Sequence, residues 1–168
     1  MTSVERFYPQ LSARFADLLS ALAGRKVAVC GHARPDGDCI GSQVALARVL
    51  AARGLDVICV NADPVPRRLR FLVRDLTFRR TDDVLHDGED RAAIFVDCAD
   101  HARGGERLKG RYPHPLAVID HHLSNTGFAR FDLVDSGSAA TCEMLAGCSW
   151  IMGFRSTPAA RRPSTRAS

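Results

Sequence analysis

Two apolar runs of strand length, Lys26–Gly31 and Leu55–Val60, flank an Ala/Leu/Val-rich segment of helix length, Ile40–Arg53, which Gly54 closes. Strand, helix and strand in this order form a β-α-β unit, and its long crossover dictates a parallel sheet. Further strand-length runs at Ala92–Val96, Leu116–Ile119 and Phe131–Val134 extend that sheet. Over residues 9–23, Leu11, Phe15, Leu18, Leu19 and Leu22 recur at helical spacing, and Gly24 stops the helix. A short helix is expected over Arg67–Val73 and partial helix over 101–111. Another helix should run from Ser138, as its N-cap, to Leu145, with Gly147 interrupting it. The 168 residues suffice for one domain with a real core. The expected fold class is α/β, a parallel sheet with flanking helices.

No apolar stretch approaches the roughly 18 residues of a membrane span. The start, Met1-Thr-Ser-Val-Glu-Arg6, lacks the basic-then-apolar form of a secretory signal. A cytoplasmic protein without membrane contact is expected. None of the six cysteines forms a C-x-x-C pair, which argues against a zinc ribbon or a thioredoxin-like site. Reduced core thiols are expected instead. The net charge of +4 matches the four arginines of the last 14 residues, Arg155, Arg161, Arg162 and Arg166. The body is therefore neutral and lacks the basic stripe of a duplex-DNA binder.

The chemistry-bearing residues follow the strands. His32-Ala-Arg-Pro-Asp36-Gly-Asp38-Cys-Ile-Gly41-Ser42 comes after the first, Asp97 after Ala-Ala-Ile-Phe-Val, and Asp120-His121-His122 after Leu-Ala-Val-Ile. The C-terminal strand ends of an open parallel sheet meet at one edge, where sites form. Three such ends delivering His and Asp together suggest a polynuclear metal site. Asp36 and Asp38, two apart in a loop shaped by Pro35 and Gly37, can face different neighbours; the same loop could equally just cap a helix. Gly41 and Ser42 are read as opening that helix, where amides suit a phosphate. Asp97 can bridge two cations. One of His121 and His122 can bind metal while the other contacts substrate, and Asp120 can orient either ring from behind.

Together these residues resemble the DHH phosphoesterase superfamily, named for its Asp-His-His motif. Asp120-His-His-Leu-Ser-Asn125 and Ser138-Ala-Ala-Thr-Cys-Glu143 add to the likeness. It covers roughly residues 10–146 and is strongest to the branch of small oligoribonucleases and 3′-phosphoadenosine-5′-phosphate (PAP) phosphatases. Cyclic-dinucleotide phosphodiesterases fit equally well. Manganese-dependent inorganic pyrophosphatases share the metal motifs, but Gly41-Ser42 and Asn125 fit the oligoribonuclease branch better. The implied fold is a doubly wound parallel sheet with flanking helices. The implied cofactor is Mn²⁺ at two sites, with Mg²⁺ as an alternative: His32 and Asp36 on one ion, Asp38 and His121 on the other, Asp97 bridging. His122, with Asp97, would take part in catalysis, and Gly41, Ser42, His122 and Asn125 would meet the phosphate. Two cations roughly 3.5–4 Å apart clamp an in-line displacement at phosphorus. The implied partners are short RNA or a small phosphorylated nucleotide, with a homodimer left open. The alternative is an inactive remnant or a nucleotide-binding module without turnover.

The likeness is expected to end near Leu145. The family's fourth metal-binding aspartate, in an Asp-Thr-Gly segment, is not found, nor is the second, substrate-gripping domain with its Gly-Gly-Gly-His motif. A catalytic domain over 1–147, incomplete at its C-terminal end, is therefore expected. A disordered tail over 148–168, the product of truncation or a frameshift or else a native regulatory tail, would follow it. The second metal should bind weakly, because Asp36, Asp38 and Asp97 leave two divalent cations undercompensated.

Overall fold

A computed structural model describes residues 8–151, with side chains as far as Cys148. Six parallel strands form one sheet: β1 (Lys26–Cys30), β2 (Val57–Asn61), β3 (Phe78–Arg80), β4 (Arg91–Val96), β5 (Ala117–Asp120) and β6 (Phe131–Val134). Their order is β3-β2-β1-β4-β5-β6. The chain thus leaves β1 toward one edge and returns on its other side at β4, so the strand order reverses between β1 and β4. Such a switch point opens a crevice at the C-terminal strand ends.

Alternation along β1 shows why both faces are covered. Val27 and Val29 enter one core with Phe15, Leu18, Leu22, Leu46, Leu50, Ile94 and Ile119. Ala28 and Cys30 enter the other with Ile58, Val60, Phe95, Leu108 and Val118. The first core lies under α1 (Pro9–Ala21), α2 (Gly37–Ala52) and α5 (Thr141–Ile151). The second lies toward α3 (Thr81–Val84) and α4 (Glu106–Arg111). β4 is buried at all six positions, the near-continuous apolar pattern of a strand covered on both sides.

Four details depart from the sequence expectation. β3 and α3 were not anticipated: Phe78-Arg79-Arg80 is too short and too basic to show a period of two. α2 starts at Gly37, not Ile40. Ser138 does not cap α5; its hydroxyl donates to Asp135 Oδ2 at 2.7 Å. α5 passes through Gly147 to Ile151 and so crosses the boundary drawn at 147. The expected tail beyond Ile151 lies outside the described residues.

The described cysteines are all free, and five of the six are buried. No helix among the described residues is long and apolar enough to cross a membrane.

Candidate metal centre

Asp97 stands at the middle of the crevice. It follows β4 directly, is 2% exposed, and adopts a left-handed backbone with φ of 57°. A non-glycine residue there carries strain, which clusters at functional sites. Its two oxygens face two different sets of groups. Oδ2 lies 3.5 Å from His32 Nε2, at the outer edge of hydrogen bonding. Oδ1 lies 3.8 Å from His121 Nε2 and 3.7 Å from His122 Nδ1, and it accepts a hydrogen bond from Thr141 Oγ1 at 3.2 Å.

Around Oδ2, His32 Nε2 is also 3.7 Å from Asp36 Oδ1. The His32 ring is aimed by its other nitrogen, Nδ1, which lies 2.8 Å from the Ala33 carbonyl. The nearby Asp97 carboxylate and the Cys39 thiol, opposed by burial, raise the imidazole to about 11. Asp36 is the N-cap of α2 and accepts from the Cys39 amide at 3.0 Å. The capping reading of the Asp-Gly-Asp loop therefore holds for Asp36, and the capping oxygen, Oδ1, is also the one near His32.

Around Oδ1, Asp38 reaches across to the start of α5. Its oxygens accept from the Thr141 amide at 2.8 Å and the Cys142 amide at 2.9 Å. Burial pushes the Asp38 carboxyl up, but the Cys142 amide and thiol, the Thr141 amide and His121 outweigh it and hold the group below its usual value. Asp38 Oδ2 is 3.7 Å from His121 Nε2. His121 is aimed by Nδ1, 3.2 Å from the Ser138 carbonyl. Asp120, fully buried, holds His122 Nδ1 at 2.7 Å, so the ring it orients is that of His122.

Three of the expected phosphate contacts are otherwise engaged. Gly41 and Ser42 lie in the second turn of α2, beyond its free amides. Ser42 is buried, 3.3 Å from Cys142 Sγ and 3.4 Å from Asp38 Oδ1. A Cβ on Gly41 would stand 2.7 Å from Cys142 Sγ, so glycine here lets α5 approach α2. Asn125 is an internal brace: Nδ2 donates to Asp120 Oδ2 at 2.7 Å and to the Cys98 carbonyl at 3.1 Å, and Oδ1 accepts from the Gly127 amide at 2.9 Å. Conversely, Thr141, Cys142 and the Ser138 carbonyl serve the site without a side-chain motif to announce them. The available signal was the helix start in Ser138–Glu143, since a helix N-terminus offers free amides to a carboxylate.

The donor set fits a divalent cation. His32, Asp36 and Asp97 form one group, and Asp97, His121 and His122 another; within each, the candidate ligand atoms lie within 4.8 Å of one another. Oxygen and imidazole donors without thiolate suit hard to borderline metals.

Comparison with known proteins agrees with this architecture. The chain is 34% identical over 143 residues to the bifunctional oligoribonuclease and PAP phosphatase NrnA of Thermus thermophilus; the match covers 84% of this chain and 41% of that one. The fold is similar to the crystal structure of an exopolyphosphatase-related protein from Bacteroides fragilis. That likeness has a TM-score of 0.72 at 20% identity and covers 92% of this chain and 46% of that one. The chain thus spans less than half the length of either. Residues 26–162 match the model of the DHH family, N-terminal domain, a match that runs past Leu145, where the sequence likeness was expected to stop. The chain belongs to the DHH family.

Proposed function

We propose that this chain is a divalent-metal-dependent phosphoesterase unit that hydrolyses P–O bonds of short oligoribonucleotides or small nucleotides, among them PAP and linear or cyclic dinucleotides. The placement of Asp97 carries the reading: one buried carboxylate with one oxygen toward His32 and the other toward His121. The printed activities of the Thermus relative support the substrate class. His32 and Asp36 would hold one cation and Asp38 and His121 the other, with Asp97 between them, and Mn²⁺ is the favoured metal with Mg²⁺ next. Bound there, the cations would supply positive charge for the phosphate oxygens and acidify water.

The remaining work falls to the chain itself. His32 and His121 present Nε2 to the crevice because their Nδ1 atoms lie against carbonyls. His122 keeps Nδ1 on Asp120, which fixes the ring. Its Nε2 takes no partner among the described residues and is the atom that gives a proton to the leaving oxygen. Leu123, 89% exposed beside it, offers apolar surface to a base.

The test is hydrolysis of bis-p-nitrophenyl phosphate and of the dinucleotide pApA with Mn²⁺. Turnover should appear with Mn²⁺ and stop with chelator. It should fall by about 10³-fold or more in Asp97→Asn, because a bridging contact contributes several kcal/mol. Manganese-dependent turnover that survives Asp97→Asn would refute the reading. Binding of pApA without hydrolysis would favour a nucleotide-binding module instead.

A further inference from the structure

The opposite edge of the sheet carries a second charged cleft, of about 590 Å³, over the N-terminal ends of β4 and β5 and the approach to β6. Arg91 opens β4 there, while Asp97 follows the other end of the same strand. Six strand residues put roughly 20 Å between the two, so the cleft is separate from the metal centre.

Four arginines line the cleft, against a single acid, Asp90. Arg111 is braced: Nε donates to the Val84 carbonyl at 3.0 Å and Nη2 to the Glu89 carbonyl at 2.5 Å. Arg91 Nη1 reaches Asp56 at 3.2 Å, but its Nε is buried without a partner among the described residues. The Tyr112 hydroxyl is buried and unpartnered in the same way. Both residues are more than nine-tenths buried. The other two arginines, Arg25 and Arg130, are exposed, and their guanidinium groups form no ion pair or hydrogen bond among the described residues.

The two buried donors, Arg91 Nε and the Tyr112 hydroxyl, are costly as they stand. Arg25 and Arg130 add two unneutralised positive charges to the same cleft, and like charges repel. A phosphate relieves the repulsion, because the guanidinium fork matches phosphate oxygens. The walls are not wholly polar: Tyr112 and Phe128 also line the cleft. Its size falls in the range of small-molecule sites. A rim of cations over aromatic walls suits a phosphate carried on a flat organic group better than a bare ion.

We propose that this cleft is a second, metal-independent binding site for a small organic phosphate of mononucleotide size. The phosphate sits on Arg25, Arg91 and Arg130, and the organic moiety lies toward Phe128.

The experiment is calorimetric titration of the whole 168-residue chain in excess EDTA with AMP, inorganic phosphate or adenosine. AMP should bind, with adenosine at least about tenfold weaker. Arg25→Ala/Arg130→Ala should weaken AMP at least about tenfold with an unchanged melting temperature, and Arg130→Glu, a single change at an exposed position, should do the same. Asp97→Asn, at the other edge, should leave AMP binding within about twofold. Phosphate binding that is weaker than AMP supports the organic-phosphate assignment. No AMP binding below about 10 mM, adenosine binding as well as AMP, or AMP binding indifferent to Arg130→Glu would each overturn it.

Discussion

The two halves of the crevice, divided by Asp97, are assembled from very different lengths of chain. His32 and Asp36 come from one loop, four residues apart, and meet at 3.7 Å. Asp38 lies just beyond, in the first turn of α2, yet its partners lie more than 100 residues on: the Thr141 and Cys142 amides at the start of α5. Asp36 caps its own helix and keeps a largely exposed side chain, 60% accessible. Asp38 caps another helix and is 21% accessible. Neighbouring carboxylates in an Asp-Gly-Asp loop thus do separate jobs, one local and one that ties α2 to α5. The second half of the site depends on tertiary structure in a way that the first does not.

The largest effect should come from breaking that tie. In the metal-free protein Asp38→Ala strips two amides of a charged acceptor and should cost about 2–3 kcal/mol, part of it returned as the carboxylate cluster loses a charge. Asp36→Ala removes one exposed cap and should cost about 1 kcal/mol or less. Urea denaturation in EDTA reads both values. Equal losses would mean that the α2–α5 contact does not rest on Asp38.

The contrast also explains what the sequence could reveal. Strand-end His and Asp residues are legible because a parallel sheet gathers its C-terminal ends at one edge, whatever the details of the loops. His32, Asp97 and His121 are accordingly found around one point. Roles that depend on what packs over a loop are not legible. Gly41-Ser42 looked like a phosphate cradle, but α5 covers it and Cys142 fills the space. Asn125 looked like a substrate contact, but all its amide groups turn inward to Asp120, Cys98 and Gly127. Thr141 has no local pattern, since its hydroxyl partner lies 44 residues before it. β3, three residues long, is too short to show a period of two.

Thr141 gives a finer test of the same contrast, because it touches Asp38 through its amide and Asp97 through its hydroxyl. Thr141→Val keeps the shape and the amide but removes the hydrogen bond to Asp97 Oδ1. It should cost about 1 kcal/mol of stability and reduce kcat about tenfold at saturating metal. Thr141→Ser should restore most of both. The readout that separates positioning from simple stability is the apparent Mn²⁺ affinity, which should weaken in Thr141→Val and recover in Thr141→Ser. A valine variant with lower stability but unaltered metal dependence would make Thr141 a packing residue only.

The pH dependence of the site belongs to its first half, through His32. Its imidazole is raised to about 11, chiefly by Asp97 and then by Cys39, against burial. A group whose folded pKa lies above its unfolded value of roughly 6.5 binds the proton more tightly when folded. Its stabilisation is complete below about pH 6.5 and is lost as pH rises toward the folded value. Metal-free protein should therefore lose stability between about pH 6.5 and 8.5, and His32→Gln should flatten that slope. The proton must also leave before a cation can take Nε2, so Mn²⁺ affinity should climb across the same interval. Urea midpoints at half-unit pH steps for the two proteins, in EDTA, measure the first effect, and Mn²⁺ titrations of the wild type at the same steps measure the second. Parallel slopes in wild type and His32→Gln would show that the Asp97–His32 contact holds no proton in the folded chain.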